Sequence, residues 1–431
     1  MLKAGREVLK TYVLLGLIIV NILITGNLWL MESGHGFPVI IDMKVLYPFL
    51  PFLGSEAPSS QRVGYTDLFV PFRAIVSDGE EGHWVLYFNQ IPEETLSYDL
   101  WQQGKQLMYG LFSPKSSIRY DSNVDITKEK ISTGRNIRLD FKTGYHAEIL
   151  AGFLGIEPGT VSAYINGMKE MIIQPSGINL SEVEVYIDDL DGRYHRFVVS
   201  YDRSVFEGLI SKTTNHKKLV KHLQFSEKGF LDIKGNPLNG AILLPLPGEE
   251  SRIPRMDVVR LFSDFPANPN SLNELNQFSE RFFGKNKGSF THMVDKSGAV
   301  SFISNRHIFK FLPDGYAEYV AVGTDIQRTR YNFYDSYVSA VRFISEYGHF
   351  PAGTHPYVSD ISYERDEVVF SFDYFYGSLP VRVNYLNAMK PLLHAMEVRV
   401  SGNRVVRSRS FVKRMESIRQ IPVEVSWIGA M

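Results

Sequence analysis

The 431-residue chain has no cysteine. Thiol nucleophiles, thiolate metal sites, disulfides and the lipid-modified cysteine of a bacterial lipoprotein anchor are therefore excluded. Neither sign of charge is in excess: the formal net charge is −1, so the balance calls for neither nucleic acid nor an acidic polymer. There is no Gly-rich phosphate loop, no His-Glu-x-x-His helix and no Gly-x-Ser-x-Gly elbow. Of the scattered histidines, the nearest pairs are His216 with His222 and His349 with His355. A spacing of six puts partners on different helix faces, which does not suit a zinc pair. The acidic run Asp188, Asp189 and Asp191 before Gly192 lacks the alternate ligands and closing glutamate of a calcium loop. It reads as an Asp-Gly hairpin turn. No catalytic residue, metal or cofactor is assigned.

The longest uncharged run is present once, at the start. From Thr11 to Met31 no residue carries a formal charge, which matches the roughly 20 apolar residues that cross a bilayer as a helix. A secretion signal has a shorter apolar core and a small-x-small cleavage site; here the run ends in Trp29, Leu30 and Met31. The segment is predicted to stay as a single transmembrane helix. Lys3, Arg6 and Lys10 precede it and Glu32 and Asp42 follow, which places residues 1–10 in the cytoplasm and the bulk of the chain outside. Residues 32–62, rich in Pro, Gly and Ser, read as a stalk or irregular lead-in.

The exported part is expected to be α+β, with antiparallel sheets packed against helices in several domains. Leu96, Leu100, Leu107 and Leu111 predict an amphipathic helix after Pro92. "RNIRLDFKTGYHAEILAGFLG" predicts a strand and a short helix. Val183, Val185 and Ile187 alternate up to the Asp-Gly turn, and Tyr194 to Tyr201 form the return arm. These belong to a first domain over 63–250. In 251–328 a helix bearing Leu272, Leu275, Phe278 and Phe282 leads into strands. In 329–431 a helix bearing Tyr334, Tyr337, Val338, Val341 and Ile344 does the same. The repeated order predicts two similar α+β modules in series.

Two basic clusters stand out. Lys217, Lys218 and Lys221 in "HKKLVKH" read as the wet face of a helix. Between Arg399 and Arg414 six cations occur with no acid among them. On one strand Arg407, Arg409 and Lys413 share a face, which is either a basic contact surface or the charge that protects a sheet edge.

The opening phrase "ITGNLWL", the central phrase "RFFGKNKGSFTHMVDKSGAVSFISNRHIFKFLPDGYAEYVAV" and the final helix and meander resemble the YycH family. The last module is also similar to that of YycI, the sister regulator. Asp314, Gly315 and Tyr316 stand where the family has a turn before an aromatic. The proline-rich lead-in and the basic tail have no counterpart in that pattern. The resemblance implies a non-enzymatic cell-membrane protein with an extracytoplasmic body. It would contact the WalK-type sensor histidine kinase and the YycI-type sister regulator, tuning cell-wall metabolism in Gram-positive bacteria. A binding or sensor module for a wall polymer or small ligand is the alternative, and a wall hydrolase stands third.

Such a regulator needs a helix face that prefers protein to lipid. Asn21 and Thr25 are four apart and hence on one face, where they can hydrogen-bond to a partner helix. Asn27 lies near the outer interface beside Trp29 and can reach water or headgroups there.

Overall fold

Alternating apolar residues build the first sheet. In the computed structural model the described residues are 68–79, 82–88, 96–113, 118–121, 134–156, 160–176, 181–216, 219, 221–224, 243–245, 252–260, 269–283, 290–322, 332–351, 353–364, 366–376, 379–381, 383 and 391–422. The predicted span Thr11–Met31, with Asn21 and Thr25, and the lead-in 32–62 lie outside them. Among the described residues no helix is long and apolar enough to cross a membrane.

Among the described residues nine strands form the first sheet: β1 (Arg73–Asp78), β2 (His83–Tyr87), β3 (Arg119–Asp121), β4 (Arg135–His146), β5 (Gly167–Pro175), β6 (Glu182–Asp188), β7 (Tyr194–Ser200), β8 (Lys221–Gln224) and β9 (Leu243–Pro245). They run in the order β3-β7-β6-β5-β4-β1-β2-β8-β9. Ala74, Leu139, Met171 and Ile187 lie in register across one face, with Val76, Ile137, Ile173 and Val185 beside them. All are buried. Helices α1 (Leu96–Phe112), α2 (Ala147–Leu154) and α3 (Arg203–Thr214) contribute to the same core. The leucines predicted for α1 are all buried, joined by Trp101, Met108 and Phe112. Asp202 caps α3, and Gly155 closes α2 with φ +65°, a left-handed conformation that glycine adopts without strain.

The hairpin β6–β7 forms at the predicted Asp-Gly turn, where Gly192 has φ +76°. The lysine cluster differs from expectation. Helix α3 ends at Thr214, where the Asn215 side chain donates back to the Ser211 carbonyl at 2.9 Å. Lys221 then lies on β8 opposite Trp84, with its ammonium 5.5 Å from the indole centroid. Lys217 and Lys218 lie outside the described residues.

Most described strands of the second half form one sheet. Its strands are β11 (Thr291–Val294), β12 (Val300–Ile303), β13 (His307–Phe311), β14 (Tyr316–Ala321), β15 (Thr354–Glu364), β16 (Glu367–Tyr376), β17 (Leu379–Val381), β18 (Met396–Ser401) and β19 (Arg404–Phe411). The order is β11-β12-β13-β14-β19-β18-β16-β15, with β17 also on β16. The two helix-then-strand stretches expected in series are thus fused where β14 pairs with β19. Strands β10 (Arg252–Arg260) and β20 (Lys413–Pro422) make a separate ribbon. Helices α4 (Pro269–Phe283) and α5 (Phe333–Tyr347) share the core of the second sheet. There Phe282 stacks on Phe309 at 4.5 Å and on Tyr347 at 5.1 Å.

One apolar core runs through both halves, which belong to a single compact body. The junction is α2 against α5. A Cβ on Gly152 would stand 2.3 Å from the Tyr334 ring, so only glycine permits this approach. Phe153 packs edge-on to Tyr337, and the Glu148 carboxylate accepts from the Phe333 amide at the start of α5. Gly152→Ala should destabilise the fold by about 1–3 kcal/mol through overpacking. That outweighs the gain of about 1 kcal/mol in helix propensity. Urea denaturation should show the loss, and Tyr334→Ala in the same background should recover part of it.

His146 also sits at this junction. Its Nδ1 accepts from the Glu148 amide to cap α2, and its ring lies 4.1 Å from that of Phe333. Burial lowers its pKa from 6.5, with Glu148 pulling the other way. Between the folded and unfolded pKa values the unfolded chain binds more protons, so stability falls as pH drops below about 6.5. Urea midpoints at about pH 7.5 and about pH 5 should differ less for His146→Asn, which keeps a capping acceptor without titrating.

Candidate functional site: charged sheet faces and two histidine clusters

On the face of the second sheet away from α5, acids and arginines alternate across strands. Arg407 and Arg409 on β19 share this face, as strand alternation predicts. Arg407 Nε donates to Glu318 Oε1 on β14 at 2.8 Å. Arg409 Nη2 donates to Glu397 Oε2 on β18 at 2.5 Å. Arg399 extends the ladder, reaching Glu397 at 3.2 Å, Glu364 at 2.5 Å and Glu367 at 3.5 Å. Arg399 and Arg407 face each other directly in the register, and like charges in that position repel. The glutamates between and beside them offset this. Burial works against the charge on Arg409, but the Glu397 carboxylate outweighs it and the guanidinium is held above its ordinary value.

Lys413 is not on that strand. The chain leaves the sheet at Val412, whose amide donates to the Gly315 carbonyl, and Lys413 opens β20 in the ribbon. The three cations thus split two and one.

The first sheet carries a parallel arrangement on its face away from the helices. Arg138 and Glu170 are both buried, with Nε 3.4 Å from Oε1, and the Tyr194 hydroxyl donates to Glu170 at 2.9 Å. Burial and Glu170 together push the Tyr194 hydroxyl up. Beside them Glu184 accepts from Arg196 at 2.7 Å and from Tyr186 at 2.6 Å.

Sequence reading did not foresee two histidine clusters. At the β6–β7 turn, Asp189 is buried and its Oδ1 accepts from the Asp191 and Arg193 amides. Its Oδ2 meets His195 Nε2 at 2.9 Å, and His195 Nδ1 meets the Tyr120 hydroxyl at 3.1 Å. Burial works to raise the Asp189 pKa, and these hydrogen bonds overcome it, so the carboxyl is held below its ordinary value. The acidic run therefore turns one of its aspartates inward to close the hairpin and anchor β3.

The second cluster joins Ser359, Asp373 and His394. Both Ser359 Oγ and Asp373 Oδ2 lie on His394 Nδ1, at 2.9 and 3.0 Å. A nucleophile relay needs the base between hydroxyl and carboxylate, one on each ring nitrogen. With both on Nδ1, the cluster fixes the ring and ties β15 to β16, while Asp373 Oδ1 accepts from the Ala395 amide. Glu364, Glu367 and Glu397 also converge, but on the Arg399 guanidinium, which bridges them. Among the described residues no group of three or more His, Cys, Asp and Glu side chains is arranged to hold a metal ion.

Glu397 holds two guanidiniums at once. Glu397→Ala should remove the carboxylate that holds Arg409 and one of the three around Arg399, on a partly buried face, and cost about 1–3 kcal/mol. Glu397→Gln should cost less, and urea denaturation of the two variants checks the order.

No family model matches the chain, and no curated protein matches it. Among solved structures, the crystal structure of YycH from Bacillus subtilis is similar, with a TM-score of 0.50 and 9% identity. The match covers 83% of this chain and 84% of that one. At that identity the likeness speaks to architecture, and the chain shares the fold of YycH, to which its opening and central phrases point.

Proposed function

We propose that this chain is a non-enzymatic, membrane-anchored regulator of a WalK-type sensor histidine kinase. It contacts the kinase and a YycI-type sister regulator through its transmembrane helix and its extracytoplasmic body. The single observation that carries this reading is the fold shared with YycH across most of both chains. The sequence supports it further: an uncharged run of membrane length, basic residues before it and polar Asn21 and Thr25 within it. The histidine clusters and acid groups described above hold strands and arginines together, which suits a scaffold for protein contacts. Binding of an anionic wall polymer through Arg407 and Arg409 is less well supported, because each already holds a glutamate.

In this reading the Asn21 and Thr25 face packs on a partner's transmembrane helix. Each interhelical hydrogen bond there is worth about 0.5–2 kcal/mol. Asn21→Leu with Thr25→Val should weaken co-purification with the kinase several-fold while export continues. Deletion of the chain should change transcription of the kinase's target genes. Unchanged transcription in the deletion strain sinks the regulator reading.

A further inference from the structure

Exposed sheet edges invite another strand, and proteins blunt them with charge, proline, bulges or cover. Most strands at the margins of these sheets are blunted. In the first sheet β3 carries Arg119 and Asp121, and β9 ends in Pro245. In the second, β15 contains Pro356, Asp360, Glu364 and a bulge between Val358 and Asp360. It also lies against β4, where its Ile361 amide donates to Thr143. Strand β17 contains Pro380. Both ribbon strands are rich in charge and hold Pro254 and Pro422.

The remaining edge, β11, differs. Its residues Thr291, His292, Met293 and Val294 include no proline, Lys, Arg, Asp or Glu, and its pairing with β12 has no register shift. All four are exposed, Met293 at 60% and Val294 at 53%. The register puts Met293 on the same face as Ile303, itself 36% exposed, and Val294 beside buried Val300 on the core face. Apolar groups therefore stand on both faces of an edge whose outer side has no strand among the described residues.

We propose that the outer edge of β11 receives an extended, uncharged strand from the membrane-held sensor kinase. The proposal rests on the membrane-anchored regulator reading above. An edge without ionised side chains offers backbone hydrogen bonds and apolar contact, so it matches a strand of the same character. Four residues bury far less than the about 1,200–2,000 Å² of a free-standing stable interface. Partners tethered in one membrane meet at an effective concentration of about mM, where so short a ladder suffices. A second copy fits less well: antiparallel self-pairing sets either His292 against His292 or Met293 against Met293. Neither is among the aromatic or β-branched cross-strand pairs that stabilise sheets. A different partner can place such residues opposite His292 and Val294.

The chain has no cysteine, so Met293→Cys creates a unique attachment point in it. Labelled with a benzophenone maleimide and irradiated in membranes containing an epitope-tagged WalK-type kinase, it should give an adduct with the kinase. The same label at Tyr109→Cys, on an exposed position of α1, should not. Val294→Lys, at a site 53% exposed, should reduce the adduct several-fold with an unchanged urea midpoint. An adduct between two copies overturns the proposal in favour of self-association, and an unchanged yield in Val294→Lys also overturns it. If no kinase adduct forms while Asn21→Leu with Thr25→Val still weakens co-purification, the edge proposal fails and the regulator reading stands. If the kinase neither co-purifies nor responds to deletion, both fail.

Discussion

The absence of a side chain at Gly152 lets two helices touch, and the unity of the fold depends on that contact. Helix α2 belongs to the first sheet and α5 to the second, and only a bare Cα allows the Tyr334 ring to lie where it does. Around this point Phe153 meets Tyr337, and His146 and Glu148 meet Phe333. The two apolar layers therefore merge into one core. A second link lies nearby, where β15 runs against β4 and aromatic rings of Phe72, Tyr357 and Phe375 pack together. Opening the two halves would expose large aromatic surfaces, which costs about 25 cal/mol per Å² of apolar area.

The outer faces of the sheets solve a different problem. Strand alternation places every second side chain away from the core, and in both sheets those positions carry ionic groups in partly or fully buried settings. A lone charge there would be strongly unfavourable, while a fully paired network is tolerated. Glu397 shows the economy of the arrangement, since one carboxylate serves Arg399 and Arg409 on adjacent strands. Such networks fix register, because a slip of one residue would turn every partner to the opposite face.

What could be read from the sequence was local. The helices over 96–112, 269–283 and 333–347 and the hairpin around Gly192 follow from periodicity and turn chemistry, which neighbouring residues decide. The α+β class follows from those elements. What could not be read was long-range pairing. The stretch Arg399–Arg414 contains no acid, yet Glu318, Glu364, Glu367 and Glu397 reach it from other strands or from just outside the stretch. The fusion of two expected modules rests on β14 meeting β19, which lies about ninety residues on in the sequence. Ser359, Asp373 and His394 converge only because β15 and β16 pair. The break at Val412, which separates Lys413 from Arg409, has no local signal such as glycine or proline beside it.

The merged core also constrains how a contact on this body could influence a partner. Packed interiors deform little, and the two sheets are joined where α5 meets α2 and β15 meets β4. In the regulator reading proposed above, the effect of such a body on a kinase equals the difference in its affinity for two kinase states. That difference need not be large: a factor of ten requires about 1.4 kcal/mol. A short strand ladder or one pair of interhelical hydrogen bonds supplies free energy on that scale when both partners are confined to one membrane.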